Sequence, residues 1–324
     1  MANQTNSNTF LLFNEPWNTV YDGIVVTFLV VGIVLNSMTI YLYYRNKIVH
    51  SNFHYSLNIM SIVSIIQQLT FIPYITYNEG KIKYQSKSLL VSLQCAFSYA
   101  LHAFFNACFI NVYLICFLTV QRYIIITRPM KRLTFTNRTC RNYLICANVF
   151  IIVSSSPNLF SFYTDGSGLC QRSNLFGYHF SKYFAFCMVT SGLVIPATTM
   201  VIAYIMTIYH MFVKSSKIEQ DLVLRRHRLK IVKSLGVLIA IFLFCWAPFS
   251  LNYLVSYLGC YSSDREGLVH YRRVNKIVLL PPTMVAIFNA VIFALSNRDI
   301  RNAAVPKNIR RRKNGIVELP LYNP

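Results

Sequence analysis

One arginine of this chain lies at the end of a long apolar stretch. Residues 108–129 read CFINVYLICFLTVQRYIIITRP, in which thirteen largely apolar residues lead to Gln121 and Arg122. Placing an arginine near hydrocarbon costs roughly 2.5–3.5 kcal/mol on insertion scales, so such a residue usually has a function. The simplest interpretation is a boundary arginine whose guanidinium reaches the membrane surface. The alternative is that the positive charge of this arginine binds another molecule.

Side chains that could catalyse a reaction are present but form no suggestive pattern. The nine cysteines form no CxxC pair, and no histidine lies at metal-ligand spacing from them, so no metal site is indicated. His102, His179 and Ser191 lack carboxylate partners at a suitable spacing. None of the ten acidic residues falls in the middle of an apolar stretch, which argues against an ion pathway. We therefore expect no enzyme, no cofactor, and neither a transporter nor a channel.

The composition indicates a membrane protein. Of the 324 residues, 55% are hydrophobic and only 13% are charged, whereas soluble domains carry about 25% charged residues. The net charge of +21 could indicate a nucleic-acid partner, but no folded reader module accompanies it, so we expect none. The N-terminus has no basic segment before an apolar one, so we expect the first membrane span, rather than a cleavable signal peptide, to direct insertion.

Seven stretches of the chain are long and apolar enough for helices that cross a bilayer, which needs about 20 residues each. They lie near residues 22–44, 54–77, 93–126, 142–163, 180–212, 231–258 and 274–295. The predicted fold is an all-α integral membrane protein, a bundle of seven transmembrane helices followed by a short amphipathic eighth helix. The predicted divisions are an N-terminal segment at 1–21, the membrane domain at 22–296, and helix eight with the tail at 297–324.

The basic residues predict the orientation of this bundle. The connections on the side of the C-terminus carry 21 Lys and Arg, and those on the side of the N-terminus carry 9. The positive-inside rule therefore places the N-terminus outside and the C-terminus in the cytoplasm. On the outer side, Asn3 begins a glycosylation sequon, and Cys95 and Cys170 are suited to a disulfide. Cys260 is a further outer cysteine, either free or a sign that this pairing is incomplete.

Four motifs follow one another at regular positions in the spans. They are GIVLNS around Asn36, QRY at 121–123, CWAP at 245–248 and NAVIF at 289–293. With these motifs the chain resembles rhodopsin-like G-protein-coupled receptors from end to end. Members of that family carry a span-one asparagine and the motifs D/E-R-Y, CWxP and NPxxY. The resemblance implies a multi-pass plasma-membrane receptor for an extracellular ligand, with a heterotrimeric G protein as its cytoplasmic partner.

Several details of the chain look most like melatonin receptors within that family. Those receptors also replace the acidic residue before the arginine, carry NAxxY and CWAP, and have a Pro-Asn pair at the outer end of span four, here Pro157 and Asn158. Two departures are Ser64, where most members have a sodium-binding aspartate, and Gly192, where the melatonin group has a histidine. Sodium modulation is therefore not expected.

The resemblance also implies roles in activation. The inner half of span six would swing outward on the kink at Pro248, and Arg122 would then line a cavity for a G-protein α-subunit. The residues expected to take part are Arg122, Tyr123, Tyr204, Pro248, Asn289 and Phe293. Gln121 cannot form a salt bridge with Arg122. We therefore expect the inactive state to be weakly stabilised and basal signalling to be raised.

The ligand pocket is expected to be aromatic and uncharged. Phe104 stands where aminergic receptors have an aspartate, and Thr283 where opsins have the retinal lysine, so amines and covalently bound retinal are disfavoured. The lining predicted from helical spacing and family placement is Phe104, Phe105, Cys108, Asn158, Met188, Trp246, Phe249, Tyr253 and Leu279. Such walls suit a neutral, fairly hydrophobic small molecule. The alternatives are a peptide ligand, drawn by basic outer loops, and a constitutively active receptor.

Overall fold

The computed structural model describes nine segments of the chain. They are residues 15–45, 52–78, 87–127, 137–159, 162–164, 170–172, 177–214, 222–258 and 265–296. The predicted eighth helix and tail, Asn3 and Cys260 lie outside these segments. The described segments are helical apart from a pair of short antiparallel strands, Phe162–Thr164 and Cys170–Arg172, between the fourth and fifth spans.

Seven helical spans follow one another along the chain. Spans one to four are Glu15–Arg45, Asn52–Asn78, Lys87–Thr127 and Asn137–Leu159. Span five runs through Gly177–Val189, the π-helix Thr190–Val194, Ile195–Tyr209 and the π-helix His210–Lys214. Spans six and seven are Leu222–Tyr257 and Arg265–Ser296. Six of these spans are long and apolar enough to cross a membrane, and span four contains a shorter apolar stretch, Arg141–Ser154.

Most helices begin several residues before the apolar stretches that predict them. Span six begins at Leu222 rather than near residue 231, and span seven at Arg265 rather than near residue 274. The hydropathy of a sequence marks where hydrocarbon begins, whereas a helix continues as long as its backbone hydrogen bonds form. Hydropathy therefore predicts the presence and order of the spans more accurately than their ends.

The outer surface of the bundle is apolar. Large side chains such as Val153, Tyr183, Phe186 and Phe244 are more than half exposed on the spans that carry them. A surface of this kind is unfavourable in water but suits the acyl chains of a bilayer. Helices are the natural element here, because each satisfies its own backbone hydrogen bonds where lipid offers no partner.

Span three is the central helix. Its apolar window has a larger share of buried residues than that of any other of the six candidate spans, and Phe104, Cys108, Val112 and Leu114 are fully buried. Phe242 and Trp246 of span six belong to the same core cluster. A helix longer than the bilayer thickness is accommodated by tilting, and packing against the neighbouring helices sets that tilt.

A buried amide joins spans one and seven across this core. The Nδ2 atom of Asn36 donates to the carbonyl of Gly32 at 2.8 Å and to the carbonyl of Ala286 at 3.1 Å. The second bond links helices that are far apart in sequence. Because lipid and core offer no water to replace it, we infer that this bond fixes the position of span one against span seven.

A second group of buried amides joins spans two, three and seven. The Nδ2 atom of Asn111 donates to Oε1 of Gln67 at 2.7 Å. Gln67 in turn donates to the carbonyl of Pro282 at 3.1 Å, and Gln68 donates to the carbonyl of Thr283 at 2.9 Å. Pro281 and Pro282 lie inside span seven, where two prolines remove two helical N–H donors. The two glutamines therefore hold span seven beside its proline pair.

Replacing Gln67 by leucine should lower the melting temperature of the purified protein. The substitution removes the bonds to Asn111 and to the Pro282 carbonyl, and a buried polar group without its partner costs about 1–3 kcal/mol. Thermal unfolding in detergent measures the effect. Gln121→Leu is the matched control, because Gln121 is also buried, at 2% exposure, but its Oε1 atom has no partner among the described residues. An equal loss in both variants would contradict the role of the bonds.

Candidate functional site

A cavity lies between spans three, five and six. Its described lining consists of His102, Phe105, Asn106, Phe109, Met188, Val189, Trp246, Phe249, Ser250 and Tyr253. The cavity volume is about 50 Å³, which holds several water-sized groups. A ring-containing ligand therefore requires some wall side chains to change rotamer, a common change on binding.

Aromatic rings from spans three and six form one continuous cluster around the cavity. The ring of Phe105 stacks on that of Phe249, with centroids 5.0 Å apart, and the ring of Phe109 stacks on Trp246 at 6.1 Å. Phe249 also contacts Trp246 edge-on and Tyr253 at a tilt. Their spacings of three and four residues place these side chains on one face of each helix.

The predicted lining falls into three groups. Phe105, Met188, Trp246, Phe249 and Tyr253 lie in the cavity wall. Three residues are fully buried but are not part of that wall: Phe104, Cys108 and Leu279. The side chain of Asn158 lies outside the part of the chain that the structure describes.

The rotation of span three explains why its predicted residues separate. The ring of Phe104 packs on Phe71 of span two, with centroids 4.6 Å apart, whereas Phe105 faces span six. Successive residues of a helix point about 100° apart, so one step along the sequence changes the neighbouring helix. Helical spacing predicts which residues share a face, and packing decides which helix that face meets.

Five lining residues were not among those predicted: His102, Asn106, Phe109, Val189 and Ser250. His102 and Asn106 are polar, lie four residues apart in an apolar span, and so share a helix face. That spacing of two polar residues could have indicated a binding surface from the sequence alone. The other three have no distinguishing mark in the sequence.

Gly192 makes room for the ring of Phe109. A methyl group at this position would overlap Cε1 of Phe109. Gly192 lies in the π-helical turn Thr190–Val194, and such turns often occur at functional sites. On its other side the Phe109 ring stacks on Trp246. One ring therefore links spans five, three and six.

The residues predicted for activation lie on several spans. Arg122 and Tyr123 are partly buried near the end of span three. The hydroxyl of Tyr204 lies against the backbone of span six, since a Cβ atom on Gly236 would be 2.7 Å from it. Pro248 lies inside span six.

The remaining predicted residues are partly outside the described structure. Asn289 is buried, and its Nδ2 atom has no hydrogen-bond partner in the described segments. The side chain of Phe293 is not described. Cys95 lies in span three and Cys170 begins the second short strand, but their side chains also lie outside the described part, so their disulfide stays a prediction.

Comparison with known families assigns the chain. Residues 24–292 match the 7 transmembrane receptor (rhodopsin family). The match covers most of the 324 residues and extends from within the first helical span to within the seventh, and the chain belongs to this family. A comparison with individual curated proteins finds no match.

Family membership settles the class of protein. The chain is a multi-pass plasma-membrane receptor that signals, and it is not an enzyme. The predicted seven-span helical bundle is confirmed by the family together with the helices.

Gly192→Ala should destabilise the receptor, because the added methyl group overlaps the Phe109 ring. Overpacking of this kind typically costs about 1–3 kcal/mol. The shorter, more flexible leucine of Phe109→Leu should recover part of the loss, and thermal unfolding of the two single variants and the double variant measures the coupling. Gly23→Ala is the control, since nothing lies within 4 Å of a Cβ atom there. Strictly additive effects would contradict the proposed contact.

Proposed function

We propose that this receptor binds a neutral, fairly hydrophobic small molecule in the cavity between spans three, five and six. The composition of the cavity wall carries this proposal. Six aromatic side chains, including His102, contribute to the described lining, and no Asp, Glu, Lys or Arg is among those residues. An apolar wall with a few polar groups is typical of sites for small, uncharged ligands.

The same wall disfavours charged ligands. A buried ammonium or carboxylate needs a partner of opposite charge, because desolvating an unpaired ion is costly. Phe104, at the position of the aminergic aspartate, packs on Phe71 instead. A biogenic amine would therefore meet aromatic rings where it requires a carboxylate.

We place the receptor near the melatonin group on the strength of its motifs. QRY, NAVIF and CWAP support this grouping. Gly192, which replaces that group's histidine, gives its space to the ring of Phe109. The proposed ligand therefore meets an aromatic surface here rather than an imidazole, which argues for a ligand preference different from that of the melatonin group.

The proposed partner on the cytoplasmic side is a heterotrimeric G protein. A ligand that contacts Trp246 would shift the balance between two packings of span six, whose Pro248 provides the bend. Such a ligand must bind the two packings with different affinity, and a nearly complete switch needs a ratio of roughly 10⁴. Arg122 would then face the α-subunit. The excess of basic residues in the inner connections supports this orientation.

The outer features belong to the same proposal. We infer that the N-terminal segment 1–21 is extracellular and glycosylated at Asn3, that Cys95 and Cys170 form a disulfide, and that residues 297–324 form the cytoplasmic helix eight and tail. The sequon, the positions of the cysteines and the charge asymmetry support these assignments.

Arg122→Ala should abolish receptor-stimulated nucleotide exchange on the G protein. The arginine provides the cation that the α-subunit meets after span six moves. The measurement is GTPγS binding by heterotrimers of each class, with the receptor in lipid nanodiscs and a library of neutral small molecules. Arg45→Ala is the control, because Arg45 is an exposed arginine at the end of span one that donates to the hydroxyl of Tyr41. Exchange that never rises under any ligand condition would contradict the proposed function.

Gln121→Asp should lower exchange in the absence of ligand. An aspartate next to Arg122 can form the ion pair that glutamine cannot, and about 1 kcal/mol in favour of the inactive state lowers the active fraction roughly fivefold. Gln121→Asn is the neutral control. A basal rate of exchange that the aspartate leaves unchanged would contradict the expectation that the missing ion pair raises basal signalling.

A further inference from the structure

We propose that Tyr113 of span three is a positioning residue for the ligand cavity. Its hydroxyl stabilises the π-helical turn of span five, and this turn determines which residues of span five face the cavity. The inference rests on the proposed function in one respect, because it takes this cavity as the ligand site.

The π-helical turn Thr190–Val194 leaves one backbone carbonyl of span five without a helical donor. The N–H of Ile195 donates to the carbonyl of Thr190, five residues earlier. In an α-helix the same N–H would donate to the carbonyl of Ser191 instead. A π-helix would supply Ser191 with the N–H of the next residue, but that residue is Pro196, which has none. The carbonyl of Ser191 therefore lacks the donor of either helical pattern.

The hydroxyl of Tyr113 supplies the missing donor. It donates to the carbonyl oxygen of Ser191 at a distance of 3.0 Å. A backbone carbonyl away from water needs a partner, and lipid offers none. The π-helical turn thus depends on a donor from another helix, whereas a regular α-helix would satisfy the Ser191 carbonyl from within span five.

The π-helical turn matters for the cavity because it sets the rotation of the preceding part of span five. Met188 and Val189 are buried and lie in the cavity wall, whereas Cys187 is exposed. An α-helix turns by about 100° per residue, and a π-helical turn contains one residue more than an α-helical turn. Without that extra residue, each preceding residue would take the place of the one before it. Met188 would then face lipid in the place of Cys187, and Val189 would replace Met188 in the wall.

A second contact from span three reaches the same turn. Phe109 lies four residues before Tyr113, so the two side chains share a helix face. The ring of Phe109 occupies the space beside Gly192, inside the π-helical turn. Span three therefore contacts two successive residues of the turn, through a hydrogen bond at Ser191 and through a ring at Gly192.

A second tyrosine provides a matched control. The hydroxyl of Tyr143 on span four donates to the carbonyl of Tyr113 at 3.2 Å. That carbonyl lies inside the helix Lys87–Thr127, where the helical pattern already gives it the N–H of Phe117. Loss of the Tyr143 hydroxyl therefore removes a bond between helices without leaving a carbonyl unpaired, whereas loss of the Tyr113 hydroxyl leaves the carbonyl of Ser191 unpaired.

The experiment compares Tyr113→Phe with Tyr143→Phe in the ligand-free receptor in lipid nanodiscs. A lipid-soluble phenyldiazirine, activated by light, inserts into side chains that face the acyl chains, and mass spectrometry locates each insertion. Without a substitution, Cys187 should be labelled and Met188 and Val189 should not. In Tyr113→Phe, labelling of Met188 relative to Cys187 should rise, by up to roughly tenfold as expected for one lost hydrogen bond. Labelling of Val189 should stay low, and Tyr143→Phe should leave the whole pattern unchanged.

Three results would overturn the proposal. Unchanged labelling of Met188 in Tyr113→Phe would show that the π-helical turn does not need the hydroxyl. An equal rise at Met188 and Val189 would indicate a loosened helix rather than a rotated one. The same rise in Tyr143→Phe would show that the loss of any bond between these helices has this effect.

The positioning role and the proposed function can fail separately. A rise at Met188 that is specific to Tyr113→Phe, without nucleotide exchange under any ligand condition, would support the positioning role and contradict the signalling function. Exchange that depends on Arg122, together with unchanged labelling in Tyr113→Phe, would leave the signalling function intact and overturn the positioning role.

Discussion

Polar groups inside this receptor have only one another as partners, because lipid supplies no hydrogen bonds. The amides of Asn36, Gln67 and Gln68 accordingly bond to neighbouring side chains or to backbone carbonyls of span seven. These bonds cross between helices that apolar packing alone would leave free to slide or rotate. This network also lacks a charge that most family members have, since Ser64 stands at the position of the family's usual aspartate. Spans one, two, three and seven are therefore joined to one another by neutral groups.

Ring contacts, rather than bonded amides, surround the cavity. The ring of Phe105 stacks on Phe249 and the ring of Phe109 on Trp246. Hydrogen bonds therefore position spans one, two, three and seven, whereas aromatic contacts join spans three and six where a ligand is proposed to bind. Gly192 contributes to this arrangement, because the absence of a side chain there leaves room for the Phe109 ring. The Phe109 ring stacks on Trp246, which lies two residues before Pro248 within span six.

Much of the fold could be predicted from the chain, whereas the site could be predicted only in part. Hydropathy gave the seven spans, and four short motifs gave the family, because both are properties of consecutive residues. Helix ends were predicted less well, as span six shows. Within the site, Trp246, Phe249 and Tyr253 were predicted from helical spacing and family placement, and all three lie in the cavity wall. Phe104 and Cys108 were expected beside Phe105, but the structure turns them toward the core.

The sequence by itself therefore determined how many helices cross the membrane, in what order, and which side chains share a helix face. Tertiary structure decided which faces meet. A rotation of one residue, about 100°, separates Phe104 against span two from Phe105 against span six, and no local pattern specifies that angle. It is set by long-range contacts, such as the Phe109 ring at Gly192 and the amide of Asn111 at Gln67. For the same reason, only the folded chain shows that the amide of Asn111 bonds to span two whereas Asn106, five residues earlier on the same helix, lies in the cavity wall.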